Sequence, residues 1–335
     1  MTAKRIVICA DGTWNRADQL HPTNVFKLAR AIPPVGVDGR AQVVFYDAGV
    51  GTGNLWDHLT GGAFGEGLRQ NVEDANLFIA LNYVAGDEIY LVGFSRGAYT
   101  ARSTAGMIRK VGVLRKEHLD RLPEAYRLYR GPLHPDAPES QAFRRAYAQE
   151  APLRFIGVWD TVGALGIPIS GLQWLTRHRH QFHDVQLSRH VENGFHAVAI
   201  DEQRRPFRPT LWVQYPEALP SQRVEQRWFP GVHSDVGGGY RDAALSDLAL
   251  LWLTERAIEC GLTFDRDALA KFTLPSPRGT LHHSRRGLFR LFGRYVRPIG
   301  NAAHEVIDAS ALERHRDLEL RYAPANLVAF LRRNP

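Results

Sequence analysis

The sequence contains a serine in the pattern Gly-x-Ser-x-Gly, at positions 93–97 (GFSRG). An apolar run over 88–92 precedes this motif, and a helical pattern over 98–111 follows it. Such a strand–turn–helix context is typical of the nucleophile elbow, in which a sharp turn exposes the serine hydroxyl above a sheet. The motif and its context therefore predict that Ser95 is a nucleophile.

A serine nucleophile needs a histidine as its base and a carboxylate that orients the histidine. In chains with this elbow the carboxylate follows the serine, and the histidine follows the carboxylate. Asp160 comes directly after the apolar run Leu153–Trp159, and His233 lies in the glycine-rich segment 230–240. We predict that His233 Nε2 accepts the Ser95 proton and that Asp160 holds the imidazole through Nδ1–H.

Three other polar residues lie near these motifs. His196 and Asp201 are the rival histidine and carboxylate, but His196 lies within an apolar stretch, which is typical of a core or supporting histidine. Asp235 follows His233 by two positions, and we predict that it supports the histidine segment.

Hydrolysis through an acyl-enzyme also requires two backbone N–H groups that stabilise an oxyanion. One is predicted to be the amide of Arg96, the residue after the nucleophile. The other is predicted to be the amide of Gly12 or Thr13, in the turn that follows the first apolar run. The Asp11 carboxylate is expected to brace that turn or the triad rather than to react.

Two other functions compete with a serine esterase. Asp11, Asp47, Asp160, His233 and Asp235 all lie at predicted strand ends, and their convergence on a divalent ion would make a metal-dependent phosphohydrolase. The third possibility is a non-catalytic binding module on a hydrolase scaffold, which the complete Ser–Asp–His set disfavours. The serine reaction itself needs no cofactor and no metal.

Short apolar runs alternate with helical patterns along the chain. The runs are Arg5–Ala10, 42–46, 88–92, Leu153–Trp159 and 224–229, and the helical patterns are 24–31, 67–83, 98–111 and 245–260. This alternation predicts an α/β fold, a three-layer sandwich around a mostly parallel central sheet. We expect one α/β-hydrolase-like domain over 1–335 with insertions at about 114–151 and 168–189.

The composition excludes several classes of protein. The chain has 335 residues, 44% hydrophobic and 23% charged, which is the composition of a globular domain rather than of a disordered or fibrous chain. It has two cysteines, too few for a disulfide framework, and no apolar stretch of about 18 residues that would span a membrane. The N-terminus lacks the pattern of a secretory signal, so we expect a cytoplasmic protein, with delivery by a secretion system as the alternative.

The net charge of +7 has no recognisable nucleic-acid-binding motif to explain it, and we expect no nucleic-acid partner. The segment 284–300 interleaves five arginines with apolar residues. As a helix it would lie on an anionic membrane with its arginines at the headgroups, or else pack its apolar side on the core and leave the arginines in solvent.

The motifs DGTWN, GVGTG, GFSRGAYTAR, FIGVWDTVGALG, HAVAIDE, FPGVHSDVGGGY and LSDLALLW follow one another along the chain. In this combination the sequence resembles the DUF2235 family of α/β-hydrolases, which includes the catalytic domain of Tle1-type type VI secretion phospholipase effectors. The resemblance implies that Ser95, Asp160 and His233 correspond to the catalytic triad. It also implies hydrolysis of ester bonds, in some members those of phospholipid acyl chains. We expect the membrane-anchoring region of the larger effectors to be missing from these 335 residues.

Overall fold

A seven-stranded sheet forms the centre of the protein, in the order β2-β1-β3-β6-β8-β10-β11, and all its neighbouring strands are parallel. The computed structural model describes residues 3–12, 20–49, 61–162, 186–214 and 218–334. The strands of the sheet are β1 (Arg5–Ala10), β2 (Gln42–Asp47), β3 (Glu88–Phe94), β6 (Leu153–Trp159), β8 (Asn193–Ala199), β10 (Arg223–Phe229) and β11 (Glu305–Ile307). Two small sheets pair β4 (Val113–Leu114) with β5 (Ala148–Gln149), and β7 (Gln186–Leu187) with β9 (Val213–Gln214).

Helices cover both faces of the sheet. They are α1 (Asn24–Arg30), α2 (Gly61–Asn82), α3 (Arg96–Val111), α4 (Leu122–Arg130), α5 (Pro138–Tyr147), α6 (His233–Gly237), α7 (Ala244–Glu259), α8 (Arg266–Phe272), α9 (Ala309–Arg316) and α10 (Ala325–Arg333). Short 3-10 helices lie at Lys116–Arg121, Arg205–Phe207 and Gly287–Phe292. The predicted α/β fold with a mostly parallel central sheet is therefore confirmed.

The alternation of side chains along β1 shows why both faces need cover. Ile6 and Ile8 pack into the core beneath α2 and α3, whereas Val7 and Cys9 pack into the opposite core beneath α1 and α7. Successive strand residues point to opposite faces, so an apolar run such as RIVICA must be buried on both. A third, smaller core joins the strand end at Val198 to the C-terminal helices α9 and α10.

The strand at 193–199 was missing from the prediction. This stretch contains His196 in a run that is otherwise mostly apolar, and β8 uses it to join β6 to β10 in the middle of the sheet. Asn193 and His196 interrupt this stretch, so it lacks the continuous apolar run that marks the other buried parallel strands.

The two predicted insertions have different outcomes. The segment 114–151 carries α4 and α5, and it returns to the domain through the β4–β5 pair. Most of 168–189 lies outside the described residues. Within the described ranges, no helix has both the length and the apolar content that a membrane span needs.

Candidate active site

Ser95 lies between β3 and α3 in a strained backbone conformation, with φ 57° and ψ −115°. Two glycines allow this turn. A Cβ added at Gly93 would lie 2.4 Å from the carbonyl oxygen of Gly97, and one added at Gly97 would lie 2.0 Å from the carbonyl oxygen of Ala10. The Ser95 amide donates to the carbonyl of Trp159 at 3.1 Å, which ties the turn to the end of β6. A side chain held at positive φ in this way points away from the strand and into the site.

His233 begins the short helix α6, which three residues separate from the end of β10. Its Nε2 lies 2.8 Å from Ser95 Oγ, and its Nδ1 lies 2.6 Å from Asp160 Oδ2. The imidazole is held between the ring of Phe94, at a centroid distance of 4.6 Å, and that of Phe207, at 5.0 Å. The three residues that the sequence predicted as a triad therefore form one continuous hydrogen-bonded chain.

Asp160 follows β6 with a positive φ of 39°, and it has no exposed surface. Its Oδ1 accepts the Ala199 amide at 3.0 Å, and its own amide donates to Ala197 at 2.7 Å, so the end of β8 fixes the residue. Arg297 donates to both carboxylate oxygens, from Nη1 to Oδ1 at 2.5 Å and from Nη2 to Oδ2 at 2.9 Å. The carboxylate is thus held by a backbone amide, a histidine and an arginine.

These contacts set the protonation of the pair. Burial alone would raise the pKa of Asp160, but the Arg297 guanidinium and His233 hold that pKa far below its ordinary value. Burial lowers the pKa of His233, and the neighbouring Asp160 only partly opposes this effect. At neutral pH the arrangement therefore holds an ionised carboxylate next to a neutral imidazole.

Asp11, at the end of β1, accepts hydrogen bonds from the Thr23 and Tyr46 hydroxyls, the latter at 2.9 Å. The Gly12 amide donates to Asp11 Oδ1 at 2.7 Å, so in this structure that N–H points at a carboxylate rather than at a substrate oxygen. Thr13 lies outside the described residues. Arg96, the first residue of α3, is half-buried, and this burial lowers the pKa of its side chain to about 10.

Asp235 lies on α6 with His233 and is almost fully buried. Its carboxylate accepts the amide of Val232 at 3.0 Å and contacts Nδ1 of His282 at 2.6 Å. Tyr240 stacks on His282 at a centroid distance of 3.9 Å. Asp235 thereby connects the turn before His233 to the segment after α8.

Asp201 and His196, the rival residues, have other partners. Asp201 Oδ2 accepts the Gly231 amide at 2.7 Å and the Tyr322 hydroxyl at 2.8 Å, and burial raises its pKa to about 6. His196 has no exposed surface and accepts the Thr161 amide at Nε2, and burial lowers its pKa to about 3. His196 is therefore a neutral core histidine.

The sequence prediction missed two residues of the site. Glu202, 1% exposed, accepts the backbone N–H of His233 at 3.3 Å and pairs with Arg204 at 2.8 Å. Glu202 follows β8 at the same edge of the sheet as the triad. A correct assignment of that strand would therefore have identified Glu202 as a candidate site residue. Arg297 carried no such signal, because it lies in an aperiodic segment 137 positions from its partner Asp160.

Arg297 also corrects the prediction for 284–300. That segment is not one helix: it contains only the 3-10 helix Gly287–Phe292. Arg297 has no exposed surface and cannot reach a headgroup or solvent. Arg297 therefore places this part of the segment in the interior, next to Asp160.

The convergence that a metal-dependent phosphohydrolase requires is not seen in the part of the chain that the structure describes. Asp160 is bound to Arg297 and His233, and Asp11 faces Thr23 and Tyr46. No group of three His, Cys, Asp or Glu side chains among the described residues is arranged to hold an ion. The described residues therefore do not support the competing metal-dependent reaction at these five side chains.

Comparison with known proteins agrees with this architecture. The family profile of the catalytic domain of Tle1-like type VI secretion phospholipase effectors matches residues 4–256. The uncharacterized protein YEL023C of Saccharomyces cerevisiae is 28% identical over 239 residues, which are 64% of this chain and 33% of the yeast protein.

Two solved structures are also similar. An uncharacterized protein from Pseudomonas aeruginosa has a TM-score of 0.51 and 20% identity, over 82% of this chain and 49% of that one. The Tle1 effector bound to the VgrG spike of the type 6 secretion system has a TM-score of 0.41 and 20% identity, over 72% and 52% of the two chains. The 335 residues thus span about a third of the yeast relative and about half of the Pseudomonas chain, and the likeness to the Pseudomonas protein concerns the fold.

Proposed function

The chain belongs to the family of catalytic domains of Tle1-like phospholipase effectors, and from this premise we propose that it is a serine hydrolase of carboxylic esters, with lipid acyl esters as its substrate class. Ser95 is the nucleophile, His233 the base and Asp160 the residue that orients the base. The observation that carries the proposal is the continuous chain of contacts from Ser95 Oγ through the imidazole to Asp160, at 2.8 and 2.6 Å.

The first half of the reaction forms an acyl-enzyme. Ser95 Oγ bonds to the carbonyl carbon of the ester while its proton passes to His233 Nε2, and the carbonyl oxygen becomes an oxyanion. The resulting imidazolium then gives this proton to the departing alcohol oxygen as the ester C–O bond breaks. In the second half water attacks the acyl carbon, His233 accepts a proton from the water, and the proton returns to Ser95 as the free acid leaves.

The amide of Arg96 is the proposed first donor to the oxyanion. It opens α3, whose N-terminal end favours negative charge. The Thr13 amide is the proposed second donor, because the Gly12 amide is directed to the Asp11 carboxylate. A Cβ added at Gly97 would lie 2.0 Å from the carbonyl oxygen of Ala10, so the end of β1 lies next to the nucleophile turn, and the chain that follows it is the proposed source of this donor.

An active-site label tests the assignment. A fluorophosphonate probe should label the wild-type protein and spare Ser95→Ala, and hydrolysis of p-nitrophenyl butyrate should be lost in the same variant. Ser221→Ala, at an exposed serine, is the matched control and should behave as wild type. Equal labelling of the wild type and Ser95→Ala would refute the role of Ser95, and loss of hydrolysis in excess chelator would favour a metal-dependent reaction instead.

The exposed arginines of 284–300 support a second part of the proposal, contact with an anionic membrane. Arg286, Arg290 and Arg294 are exposed, and each basic residue near an anionic surface contributes about 1 kcal/mol of attraction. Binding to anionic liposomes should exceed binding to neutral ones, should weaken as salt is raised, and should fall when all three are changed to alanine. Binding that is absent, or equal on both kinds of liposome, would refute this contact.

A further inference from the structure

The Arg297 guanidinium lies in the catalytic centre, although the reaction proposed above assigns it no step. It is fully buried, and its two Nη atoms make four hydrogen bonds. Two go to Asp160, at 2.5 and 2.9 Å, and the others go to the carbonyls of Ala199, at 2.9 Å, and Phe207, at 2.6 Å. A planar fork that meets both carboxylate oxygens fixes the orientation of the carboxylate as well as its position.

We propose that Arg297 is a positioning residue: it clamps the Asp160 carboxylate and offsets its charge, so that His233 stays unprotonated and able to accept the Ser95 proton in mildly acidic solution. This inference rests on the proposed function, because it concerns the base of that reaction. It adds a cation to a triad that requires only a serine, a histidine and a carboxylate.

The charges that face His233 are balanced. Asp160 is paired with Arg297, and Glu202, which accepts the His233 backbone N–H, is paired with Arg204 at 2.8 Å. Because the imidazole is also buried, a protonated His233 would be an uncompensated charge, and the neutral form is favoured. Among the described residues, the polar and charged groups on the elements around His233 include Ser95, Arg96, Asp160, Asp201, Glu202, Arg204, Asp235, His282 and Arg297.

Removal of Arg297 would change that balance. Asp160 would remain as an unpaired carboxylate 2.6 Å from the imidazole, and the protonated form of His233 would be stabilised. As the pH is lowered, His233 would then become protonated, and stop acting as a base, at a higher pH than in the wild type. A lysine at this position would keep the charge and lose the fork, so the carboxylate would be less well oriented while the imidazole is affected less.

The position of Arg297 is set by the C-terminal part of the fold. The side-chain amide of Asn326, in α10, donates to the carbonyls of Arg297, at 3.1 Å, and Ile200, at 3.0 Å. The backbone of this segment also pairs with the loop after β8, through Arg204 and Arg294. Arg297 therefore comes from a region beyond residues 4–256, which are the part that the family profile matches.

Two measurements on Arg297→Met test the proposal, with Arg297→Lys as the conservative variant and Arg316→Met, at an exposed arginine, as the control. The first is the pKa of His233 by NMR in the Ser95→Ala background, which needs no activity. The second is the pH profile of kcat/KM for p-nitrophenyl butyrate. In Arg297→Met the pKa of His233 should rise by about one to two pH units, and the midpoint of the fall in kcat/KM at acidic pH (the acid limb) should move up by the same amount. Both shifts should be smaller in Arg297→Lys and absent in Arg316→Met.

A folded Arg297→Met protein with the wild-type His233 pKa and the wild-type acid limb would overturn the proposal. Circular dichroism identifies a variant that does not fold. Arg297→Lys then decides the question, since an unchanged pKa together with an unchanged kcat/KM plateau in that variant would overturn it too. If the wild type hydrolyses no ester and Ser95 takes no label, the proposed function fails, while the NMR titration still reports whether Arg297 controls His233.

Discussion

Gly97 lies so close to Ala10 that a Cβ at position 97 would be 2.0 Å from the Ala10 carbonyl oxygen. This close approach joins the first turn of α3 to the end of β1, and it sets the distance between the nucleophile turn and Ala10. Gly97→Ala would force these two backbones apart. Overpacking of this kind costs about 1–3 kcal/mol, and here both partners are backbone, which has little freedom to move.

We therefore expect Gly97→Ala to lower both the urea midpoint of unfolding and kcat/KM. Gly131→Ala is the matched control, because an added Cβ there would come no closer than 3.3 Å to any atom that it packs against, compared with 2.0 Å at Gly97. Wild-type stability and activity in Gly97→Ala would contradict the close packing described for the elbow.

The Asp160–Arg297 ion pair predicts a large coupling between the two side chains. Asp160→Asn leaves Arg297 as a buried charge without a carboxylate, and breaking one half of a buried pair costs about 3–5 kcal/mol. The double variant Asp160→Asn/Arg297→Met should cost much less than the sum of its single variants. Urea unfolding of the four proteins measures this, and strictly additive free energies of unfolding would show that the pair does not stabilise the fold as described.

From the contacts of Asp235 we predict that Asp235→Ala loses both stability and activity. The change leaves the buried Val232 amide without its acceptor and frees His282, at a cost of about 2 kcal/mol. His233 belongs to the same short helix, so its distance from Ser95 should vary more, and kcat should fall. Asp267→Ala, at an exposed aspartate, serves as the control in ester hydrolysis and urea unfolding. Normal kcat in a destabilised Asp235→Ala protein would limit Asp235 to a purely structural role.

Asp201 predicts a pH-dependent contribution to stability. Its pKa is raised to about 6 in the folded protein, whereas in an unfolded chain it is about 3.9. Between these values the folded state binds more protons than the unfolded state, so the free energy of unfolding falls as the pH rises through this interval. Asp201→Asn cannot ionise and lacks this decrease. The melting temperature of the variant minus that of the wild type should therefore increase from pH 4 to pH 8, and a constant difference would contradict the assignment.

The two cysteines predict slow reaction with thiol reagents. Cys9 has no exposed surface and Cys260 is 3% exposed, and burial raises the pKa of Cys260 to about 11. Since the thiolate is the reactive form, neither should react readily with a disulfide reagent at neutral pH. Both should react at once in concentrated urea. Rapid modification of the native protein would contradict the burial of these side chains.

The sequence was sufficient for features with a local cause. The strands Arg5–Ala10 and Leu153–Trp159 have the predicted bounds, because a buried parallel strand must be a short apolar run that ends in a turn. Ser95, Asp160 and His233 follow three such strands, and parallel strands end at one edge of the sheet. That rule accounts for their meeting without any knowledge of long-range contacts.

Features that depend on packing between distant segments could not be predicted in this way. His233 begins a short helix, although the sequence predicted a glycine-rich loop. The glycines around it are compatible with either structure, so they could not decide between the two. Arg297 belongs to a segment without periodicity, and the four other arginines of 284–300, interleaved with apolar residues, resemble a surface pattern. Only the fold shows that this one arginine enters the core, because its partner is 137 positions away.

The late position of Arg297 in the chain has a consequence for biosynthesis. A ribosome makes the chain from its N-terminus, so Ser95, Asp160 and His233 are all polymerised before Arg297 and Asn326 exist. Until then the carboxylate of Asp160 lacks the cation that it has in the folded protein. The nascent polypeptide therefore carries all three reactive groups for some time before it can assemble the mature catalytic centre.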